Sequence, residues 1–260
     1  MELPCLTDQA SYRSPERPAA WFARHHPNLV FYTKILIVVR SASRLARQGR
    51  YDSAAWIQSS LTSLRALESV GGRFDLQNLN VVRQLIGPCV FIGNHMSILE
   101  TFILPCLIQP HRNGTFVIKK SLISYPLFGH VMRSRNPVVV GRRNPREDLK
   151  TVLEEGQRRL EADVSVIIFP QTTRSVDFDP QKFNSLGVKL AKRCRVPIVP
   201  VALKTDAWGL GKRLKDIGRI SPEKQVHICF GDPLTVAGSG REEHDRVVDF
   251  IVSHLNAWRQ

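Results

Sequence analysis

Residues 90–104 read VFIGNHMSILETFIL, and they set the framework for interpreting the chain around them. The first three residues form a short apolar run of β-branched and aromatic side chains, which predicts a buried strand. A glycine and an asparagine interrupt this run, and His95 follows where the strand would give way to a helix. The stretch therefore predicts a strand–loop–helix unit with a histidine at the end of the buried strand.

His95 and Glu100 have the chemistry of a general base and the carboxylate that orients it. An imidazole titrates near neutral pH, so it can accept a hydroxyl proton and return it, while a carboxylate holds the other ring nitrogen protonated. Five residues along one helix turn through about 500°, which would misalign the two side chains by roughly 140°. The pair can therefore work only if His95 lies before the helix or at its cap. Alternatively, His95 is a core histidine and Glu100 a charge on the helix surface.

The composition is that of a basic, folded protein. The 260 residues carry a formal net charge of +14, and 43% of them are hydrophobic. This length fits one large α/β domain or two small ones, and the hydrophobic content argues against disorder. The charge favours polyanionic partners such as anionic membrane surface, phosphorylated substrates or nucleic acid. Nucleic acid is the weakest candidate, because aromatic residues are not interleaved with the basic ones and no nucleic-acid-binding motif is present.

The sequence shows neither metal-ligand spacing nor a membrane span. Its five cysteines are scattered without a Cys-x-x-Cys pair, as expected of reduced core thiols rather than of a structural zinc site. No run of 18 apolar residues predicts a spanning helix, and the N-terminus does not resemble a signal peptide. A kinase or an NTPase is not expected either, because the glycine-rich phosphate loop of those enzymes is missing.

Seven apolar runs predict strands that alternate with helices. They are RFDLQNLN, CVFIG, TFVIK, PVVVG, DVSVIIFP, VPIVPVALK and QVHICF. The first run alternates with period two and is expected at a sheet edge. Helices are expected over residues 98–108, 145–161, 183–193 and 244–258. Short apolar strands separated by helices predict an α/β fold with a mixed, largely parallel seven-stranded sheet flanked by helices, and we assign residues 73–260 to it.

Residues 1–72 are predicted to form a separate N-terminal segment. Residues 1–18 are expected to be a loose polar tail, followed by a helix from Trp21 to about Gln48 and a second one from its N-cap Asp52 to Val70. The first helix is apolar around most of its circumference, is too short to span a bilayer and ends among arginines. These features suit a two-helix anchor lying in the membrane interface. A buried packing helix with solvated arginines is an equal alternative.

Polar and basic residues follow three further strands, at the sheet edge where the sites of such folds gather. A basic residue after a strand is usually only solvated, but together these residues suit a phosphate, which guanidinium groups grip in a forked manner and hydroxyls and loop amides support. They are Lys119 and Lys120 after TFVI, Arg142 and Arg143 after PVVVG, and Gln171, Thr172, Thr173, Arg174 and Ser175 after VSVIIFP.

Four blocks between about residues 73 and 203 match a known family in order and spacing. They are NHMSILE, NPVVVGR, IIFPQTTRS and VPIVPVAL, with KKSLISYPLFG between the first two. They resemble the blocks of the membrane-bound glycerolipid acyltransferases, most of all the bacterial 1-acylglycerol-3-phosphate acyltransferases. The resemblance implies that His95 is the general base, that Glu100 stands in the place of an aspartate and that Arg142 binds the acceptor phosphate. It also implies that the N-terminal helices are an interfacial anchor.

Three positions depart from the family's blocks. Glu100 replaces aspartate, which moves the carboxylate one methylene further out, and Gln171 and Thr172 replace glutamate and glycine, whereas Thr173, Arg174 and Ser175 match. The family's glutamate is linked to acceptor binding, so a neutral amide at this position indicates a different head group or weaker activity. The base and the phosphate arginines remain, so catalysis is still expected.

The resemblance implies an O-acyltransferase that moves a fatty acyl group from acyl-CoA or acyl-carrier protein to the sn-2 hydroxyl of a lysophospholipid. The family's default acceptor is 1-acyl-sn-glycerol 3-phosphate, which gives phosphatidic acid. The alternatives are another lyso-lipid acceptor and a catalytically weakened lipid-binding descendant. No metal and no cofactor are expected. The expected partners are an anionic membrane surface, the lysophospholipid and the acyl donor, and the expected location is the cytoplasmic face of the cell membrane, monotopic or peripheral.

Overall fold

The strands of this protein join in one mixed sheet. The computed structural model describes residues 6–171, 173–211 and 215–259. Within these ranges the strands are β1 (Tyr12–Arg13), β2 (Phe74–Gln77), β3 (Val90–Gly93), β4 (Gly114–Lys119), β5 (Val138–Val140), β6 (Ser165–Ile168), β7 (Ile198–Lys204) and β8 (Val226–Phe230). Each of the seven predicted strands is present, with bounds that differ by a few residues.

The sheet is largely parallel, as predicted. Its strand order is β1-β2-β8-β7-β3-β6-β4-β5. Only the β1–β2 and β7–β8 pairs are antiparallel, and β3 lies in the middle between two parallel neighbours, β6 and β7. The active edge of a parallel sheet is the one at the carboxyl ends of its strands. His95 therefore lies at the centre of that edge.

The sheet has eight strands, so the predicted number of seven is wrong by one. The extra strand, β1, lies in residues expected to be a loose tail, and it makes β2 an inner strand rather than the predicted edge. The hydroxyls of Tyr12 and Ser14 donate hydrogen bonds to the Glu68 carboxylate, and the Ser14 backbone N–H donates to Phe74. A two-residue strand held by side-chain contacts has no alternation to detect in sequence.

The predicted helices are present in the described ranges, but several of them begin or end at residues other than those predicted. They are α1 (Trp21–His25), α2 (Pro27–Arg47), α3 (Ser53–Glu68), α4 (Asn80–Gln84), α5 (Leu99–Ile108), α6 (Phe128–Ser134), α7 (Pro145–Glu161), α8 (Leu186–Cys194) and α9 (Arg241–Ala257). The single predicted helix of residues 21–48 is broken into α1 and α2. Pro27 stands at the first position of α2, where its missing N–H costs least.

Local capping explains two of the correct helix starts. The side chain of Asp52 accepts a hydrogen bond from the backbone N–H of Ala55, as an N-cap should. Asn144 caps α7 in the same way, with Pro145 at its first turn. The predicted starts of α3 and α7 are therefore confirmed by the contacts that produce them.

Hydrophobic clusters cover both faces of the sheet. On one face, α2, α3 and α5 bury Phe31, Leu64 and Ile103 against strand residues such as Phe91. On the other face, α7, α8 and α9 bury Val152, Leu190 and Ile251 against Val90 and Ile92. Successive residues of β3 thus point into opposite layers, which is why VFI is apolar at every position.

Helix α2 buries one side and exposes the other. Phe31 and Ile35 are in the core, whereas Leu29, Ile37 and the preceding Trp21 are 60%, 62% and 72% exposed. The N-terminal helices therefore share a core with the sheet, and the predicted division at residue 72 stays a prediction. Among the described residues, no helix is both long enough and apolar enough to cross a bilayer.

Candidate active site

His95 is placed by the residue before it. The Asn94 side chain donates to the Leu203 carbonyl at 2.7 Å and accepts from the Leu203 N–H at 2.9 Å. These two bonds extend the pairing of β3 with β7 by one step after the strand has ended. Asn94 is 2% exposed, so the clamp is shielded from water and fixes the backbone at the start of the histidine loop.

Glu100 lies within reach of the His95 ring. The Oε1 atom of Glu100 is 3.3 Å from Nδ1 of His95. His95 lies before α5, and Glu100 is in the first turn of that helix. The geometric condition set by the five-residue spacing is thus met, because the loop between the two residues turns the imidazole back toward the helix. This leaves Nε2 as the ring nitrogen available to a substrate.

The Glu100 carboxylate is fully buried and well supplied with donors. It accepts hydrogen bonds from the backbone N–H groups of Met96 and Ser97 at 2.6 and 2.8 Å. The Ser97 and Thr205 hydroxyls both donate to Oε2 at 2.9 Å. Bonds of this charge-assisted kind are the ones that compensate a buried carboxylate for lost water. The extra methylene relative to aspartate is accommodated without loss of contact with His95.

These contacts keep Glu100 ionised. Burial alone would raise the pKa of the carboxyl, but the hydrogen bond and charge of His95, together with the backbone amides, lower that pKa below its ordinary value. Because Glu100 stays negative at neutral pH, it favours a proton on Nδ1 and stabilises the imidazolium that forms when Nε2 accepts a second proton.

Residues that follow β6 also contact His95. The Phe169 ring stacks on the imidazole, with centroids 4.5 Å apart and planes 6° from parallel. The Gln171 side-chain oxygen accepts from the His95 backbone N–H at 2.6 Å, and the Ser175 N–H donates to the His95 carbonyl at 3.0 Å. The third sequence block therefore positions the histidine of the first block.

Arg142 stands on a tight turn after β5. Its φ of 55° lies in the left-handed region, which is costly for a residue other than glycine. Asp148 of α7 compensates, because its carboxylate accepts from the backbone N–H groups of Gly141 and Arg142 at 2.9 and 3.2 Å. Strain of this sort is retained where a side chain must be aimed at a site.

Arg142 and Arg174 are close enough to repel each other. The pKa of the Arg142 guanidinium is lowered by burial and by the charge of Arg174, while Asp148 acts in the opposite direction. Two neighbouring guanidinium groups form a favourable site for an anion with two or more oxygens. Arg174 also forms an ion pair with Asp216, from the loop that follows β7.

The remaining predicted residues are arranged less tightly. Lys119 and Lys120 are exposed at the end of β4, and Thr173 is exposed beside Arg174. Thr172 lies outside the described residues. The structure thus joins His95, Glu100, Gln171 and the Ser175 backbone by direct contacts, while the two lysines and Thr173 stand at the same edge without such contacts.

A cavity of about 500 Å³ adjoins this edge between β5, β6, α7 and α8. Its walls include Arg142 and Gln171 on the polar side and Val140, Ile168 and Phe169 on the apolar side. Phe169 is the residue that stacks on His95. The cavity beside Phe169 can therefore hold an anionic group and an apolar group together.

Comparison with known protein families assigns the chain to a family. A model of the family described as acyltransferase matches residues 73–204, which is just over half of the chain. The chain belongs to the acyltransferase family. The matched range contains all four sequence blocks and every predicted site residue, so the resemblance stated from the blocks is confirmed.

Relatives within the acyltransferase family are similar over different lengths. A 1-acyl-sn-glycerol-3-phosphate acyltransferase of Pseudomonas aeruginosa is 26% identical over 88% of this chain and 81% of its own length. One of Cocos nucifera is 34% identical over 64% of this chain, which spans about half (53%) of that relative.

A solved acyltransferase shares the fold. The crystal structure of the 1-acyl-sn-glycerophosphate acyltransferase PlsC from Thermotoga maritima superposes with a TM-score of 0.67 at 16% identity. The match covers 92% of this chain and 97% of the other. The predicted α/β architecture is therefore confirmed.

Several acyltransferase site residues were missed by the sequence analysis. Asn94 was interpreted only as a strand breaker, although it opens the first block. Ser97, Thr205 and Asp216 carried no local signal. Thr205 comes directly after the fourth-block strand, at the edge where His95 lies, so a search for hydroxyl residues at every strand end would have found it.

Proposed function

We propose that this acyltransferase moves a fatty acyl group from an acyl thioester to the sn-2 hydroxyl of a lysophospholipid, with 1-acyl-sn-glycerol 3-phosphate as the first acceptor to test. The product would be phosphatidic acid. The relatives of Pseudomonas aeruginosa and Cocos nucifera, both named 1-acyl-sn-glycerol-3-phosphate acyltransferase, support this acceptor. The proposal covers both acyl-CoA and acyl-carrier protein as donors.

In the proposed mechanism, His95 is the general base and Glu100 orients it. Nε2 of His95 accepts the proton of the acceptor hydroxyl while the oxygen attacks the thioester carbonyl. When the thiolate leaves, the imidazolium returns that proton to the sulfur, so the histidine ends as it began. Proton transfer of this kind contributes about 10²- to 10⁴-fold to a rate. Glu100 stabilises the transient positive charge throughout.

Arg142 and Arg174 are proposed to bind the acceptor's phosphate. Their guanidinium groups repel each other in the protein alone, and a phosphate dianion between them would relieve that repulsion. Bidentate hydrogen bonds fix orientation as well as position, so the grip would place the hydroxyl next to His95. Lys119, Lys120, Thr173 and Ser175 stay proposed substrate-binding residues at the same edge, as does Thr172.

One observation carries the proposal. A fully buried carboxylate holds Nδ1 of a histidine at 3.3 Å, and Arg142 and Arg174 follow strands that end at the same edge of the sheet as the histidine. A core histidine would need no ionised partner and would not lie at the strand end. These observations support a base, an orienting acid and an anion site, which acyl transfer to a phosphorylated alcohol requires.

His95→Ala tests the proposal directly. Full-length protein is assayed with lysophosphatidic acid and palmitoyl-CoA. Free thiol release is measured with a colorimetric thiol reagent, and the lipid product is identified by mass spectrometry. We expect a rate loss of at least about 100-fold in protein that is still folded, as a cooperative urea unfolding curve would show. His254→Ala, which alters a histidine on α9, is the matched control and should keep its rate. A His95→Ala rate above a tenth of wild type would remove His95 as the base.

The same assay distinguishes an active acyltransferase from a catalytically weakened lipid-binding descendant. The specific observation favouring that alternative is the neutral Gln171 in the place of a glutamate. Lysolipid binding without thiol release by the wild-type protein would support it. The prediction that no metal or cofactor is needed stays a proposal, which activity in EDTA after gel filtration would support.

Attachment to an anionic membrane surface is also part of the proposal. The exposed apolar side of α1 and α2, followed by Arg40, Arg44 and Arg47, suits a helix at the lipid interface. We propose that this attachment is monotopic or peripheral, on the cytoplasmic face of the cell membrane.

A further inference from the structure

A large basic cavity lies outside the site described above. It has a volume of about 1400 Å³ and is bounded by the segment before α2, the C-terminal end of α3 and the loop before β8. Five arginines line it against two carboxylates, Glu68 and Glu223. The arginines are Arg17, Arg24, Arg65, Arg73 and Arg219.

The arginines of the basic cavity are not neutralised by ion pairs. In the described part of the chain only Arg73 has a carboxylate within 4.0 Å, that of the exposed Glu16 at 3.5 Å. One of the two carboxylates of the lining is already engaged, because Glu68 accepts hydrogen bonds from Tyr12 and Ser14. Solvated arginines normally spread over a surface, whereas these converge on one concave space. Such a space concentrates positive potential and attracts a compact polyanion.

The basic cavity opens on the same edge of the sheet as His95. The register places Leu203, the partner of Asn94, opposite Ile228, and Ile228 opposite Leu76. Arg73 precedes β2 and so lies beyond the level of His95. Arg73 and His95 are separated by three strand spacings across the sheet and by two residues along a strand. Together these give a distance of roughly 16 Å.

That separation matches the length of a pantetheine arm. The arm joins the thioester sulfur of coenzyme A to its first phosphate through a chain about as long as four to five extended residues, roughly 15 Å. A thioester carbonyl next to His95 would therefore place the phosphates of the donor at the arginines. The cavity also has apolar walls, including Pro27, Pro222 and Ile220, against which a flat base can pack.

We propose that the basic cavity binds the 3′-phospho-ADP end of an acyl-coenzyme A donor. This inference rests on the proposed acyl transfer and names the donor for it. The three phosphate groups of coenzyme A would supply the negative charge that balances the arginines. The concave shape of the cavity suits a nucleotide better than a flat array of lipid head groups. Arg219 stands on the loop that also carries Asp216, so donor binding and the Arg174 ion pair involve the same segment.

The test uses full-length protein with the double variant Arg65→Gln/Arg219→Gln. Both side chains are exposed and without ion pairs among the described residues, so the fold should be retained. The control, Arg241→Gln/Arg246→Gln, removes the same charge from two exposed positions on α9, which covers the other face of the sheet. Each protein is assayed with palmitoyl-CoA and with palmitoyl-N-acetylcysteamine, a thioester that carries no phosphate. Binding of free coenzyme A is measured by calorimetry at two salt concentrations.

We expect the double variant to raise KM for palmitoyl-CoA at least about 10-fold, as lost phosphate contacts should, with kcat unchanged. The rate with palmitoyl-N-acetylcysteamine should stay the same, and coenzyme A binding should weaken and lose part of its salt dependence. Equal effects in the control would overturn the proposal. It would also be overturned by reduced binding to anionic vesicles, or a raised KM for acyl-carrier protein, with the KM for palmitoyl-CoA unchanged.

The binding measurement keeps this inference separate from the proposed function. If wild-type protein transfers no acyl group from either donor but binds coenzyme A through these arginines, the proposed reaction fails while the cavity assignment stands. If transfer proceeds but coenzyme A binding does not depend on Arg65 and Arg219, the cavity assignment fails alone.

Discussion

The side-chain oxygen of Gln171 accepts a hydrogen bond from the backbone N–H of His95 at 2.6 Å. Gln171 is 7% exposed, so this contact is shielded and determines where the histidine loop lies. An amide oxygen and a carboxylate oxygen accept equally at this position. The replacement of the family's glutamate by glutamine therefore preserves the contact, which argues against the loss of activity that the neutral side chain indicated in the sequence.

Gln171→Ala and Gln171→Glu test this positioning role. Alanine leaves the N–H without its acceptor, at a cost of about 1–3 kcal/mol, and we expect kcat to fall about 10-fold. Glutamate keeps an acceptor oxygen, so kcat should stay within about 3-fold of wild type. Steady-state kinetics with lysophosphatidic acid give both numbers. If alanine raised only KM and left kcat intact, Gln171 would instead contact the acceptor.

The ionised Glu100 makes the stability of the protein depend on pH. The folded-state pKa of Glu100 lies below the ordinary value of 4.5. The ionised carboxylate therefore makes its full contribution to the free energy of unfolding above about pH 4.5, and this contribution is lost as the pH falls through the folded-state pKa. Glu100→Gln lacks this contribution at every pH. We therefore expect the difference in urea midpoint between wild type and Glu100→Gln to be constant from pH 7 to 5 and to narrow below 4.5.

Urea unfolding followed by tryptophan fluorescence from pH 7 to 3 checks that expectation. Glu223→Gln is the control, since it removes a carboxylate remote from His95 and should show no comparable narrowing. A pH-independent difference between wild type and Glu100→Gln would mean that Glu100 is not ionised in the folded protein. Its proposed role as orienting carboxylate would then fail.

Asp216 forms an ion pair with Arg174, whose guanidinium is proposed to bind the phosphate of the acceptor. The Arg174–Asp216 ion pair is largely shielded, with side chains 17% and 25% exposed. A phosphate must displace this carboxylate or share the guanidinium with it. Asp216→Asn removes the competing charge, so KM for lysophosphatidic acid should fall about 5-fold, whereas Arg174→Ala should raise it.

Asp245→Asn is the matched control for Asp216, because it removes the same charge from an exposed position on α9. It should leave KM unchanged. If Asp216→Asn raised KM as Arg174→Ala does, the carboxylate would be holding Arg174 in place for the phosphate. Urea midpoints of each variant show whether the fold has been affected.

The sequence predicts the sheet and the histidine better than it predicts the contacts that position the histidine. Apolar runs such as VFI and VSVIIF are continuous because both of their faces are buried, so the inner strands are recognised without difficulty. The pair His95 and Glu100 is recognised because both residues lie in one short block. Asp52 is recognised as a cap because capping is a local interaction.

The missed features are tertiary contacts. Thr205 reaches Glu100 across 105 residues, and Asn94 clamps Leu203 across 109. Such pairs have no periodicity within either segment, so only the three-dimensional structure joins them. The same reason explains β1, where Tyr12 and the adjacent Ser14 contact Glu68 and Phe74. It also explains the ion pair between Arg174 and Asp216, a residue on a distant loop.

The exposed side of α2 should determine membrane binding. Leu29 and Ile37 are 60% and 62% exposed, while the opposite side of the helix is in the core. Deleting the N-terminal helices would remove Phe31, expose the core residues it covers, such as Trp208, and unfold the protein. Point substitution avoids this. We expect Leu29→Ser/Ile37→Ser to weaken binding to anionic vesicles at low salt about 10-fold, because apolar area no longer enters the interface.

Ile86→Ser is the control for that experiment. Ile86 is 94% exposed, but it precedes β3 and so lies at the opposite edge of the sheet from His95, away from α2. Its substitution removes a comparable apolar side chain and should leave vesicle binding unchanged, as vesicle co-sedimentation can measure. Equal binding by all three proteins would show that α2 does not contact the lipid. A loss in Ile86→Ser alone would place the membrane at the other edge, where the proposed lysolipid could not reach the imidazole.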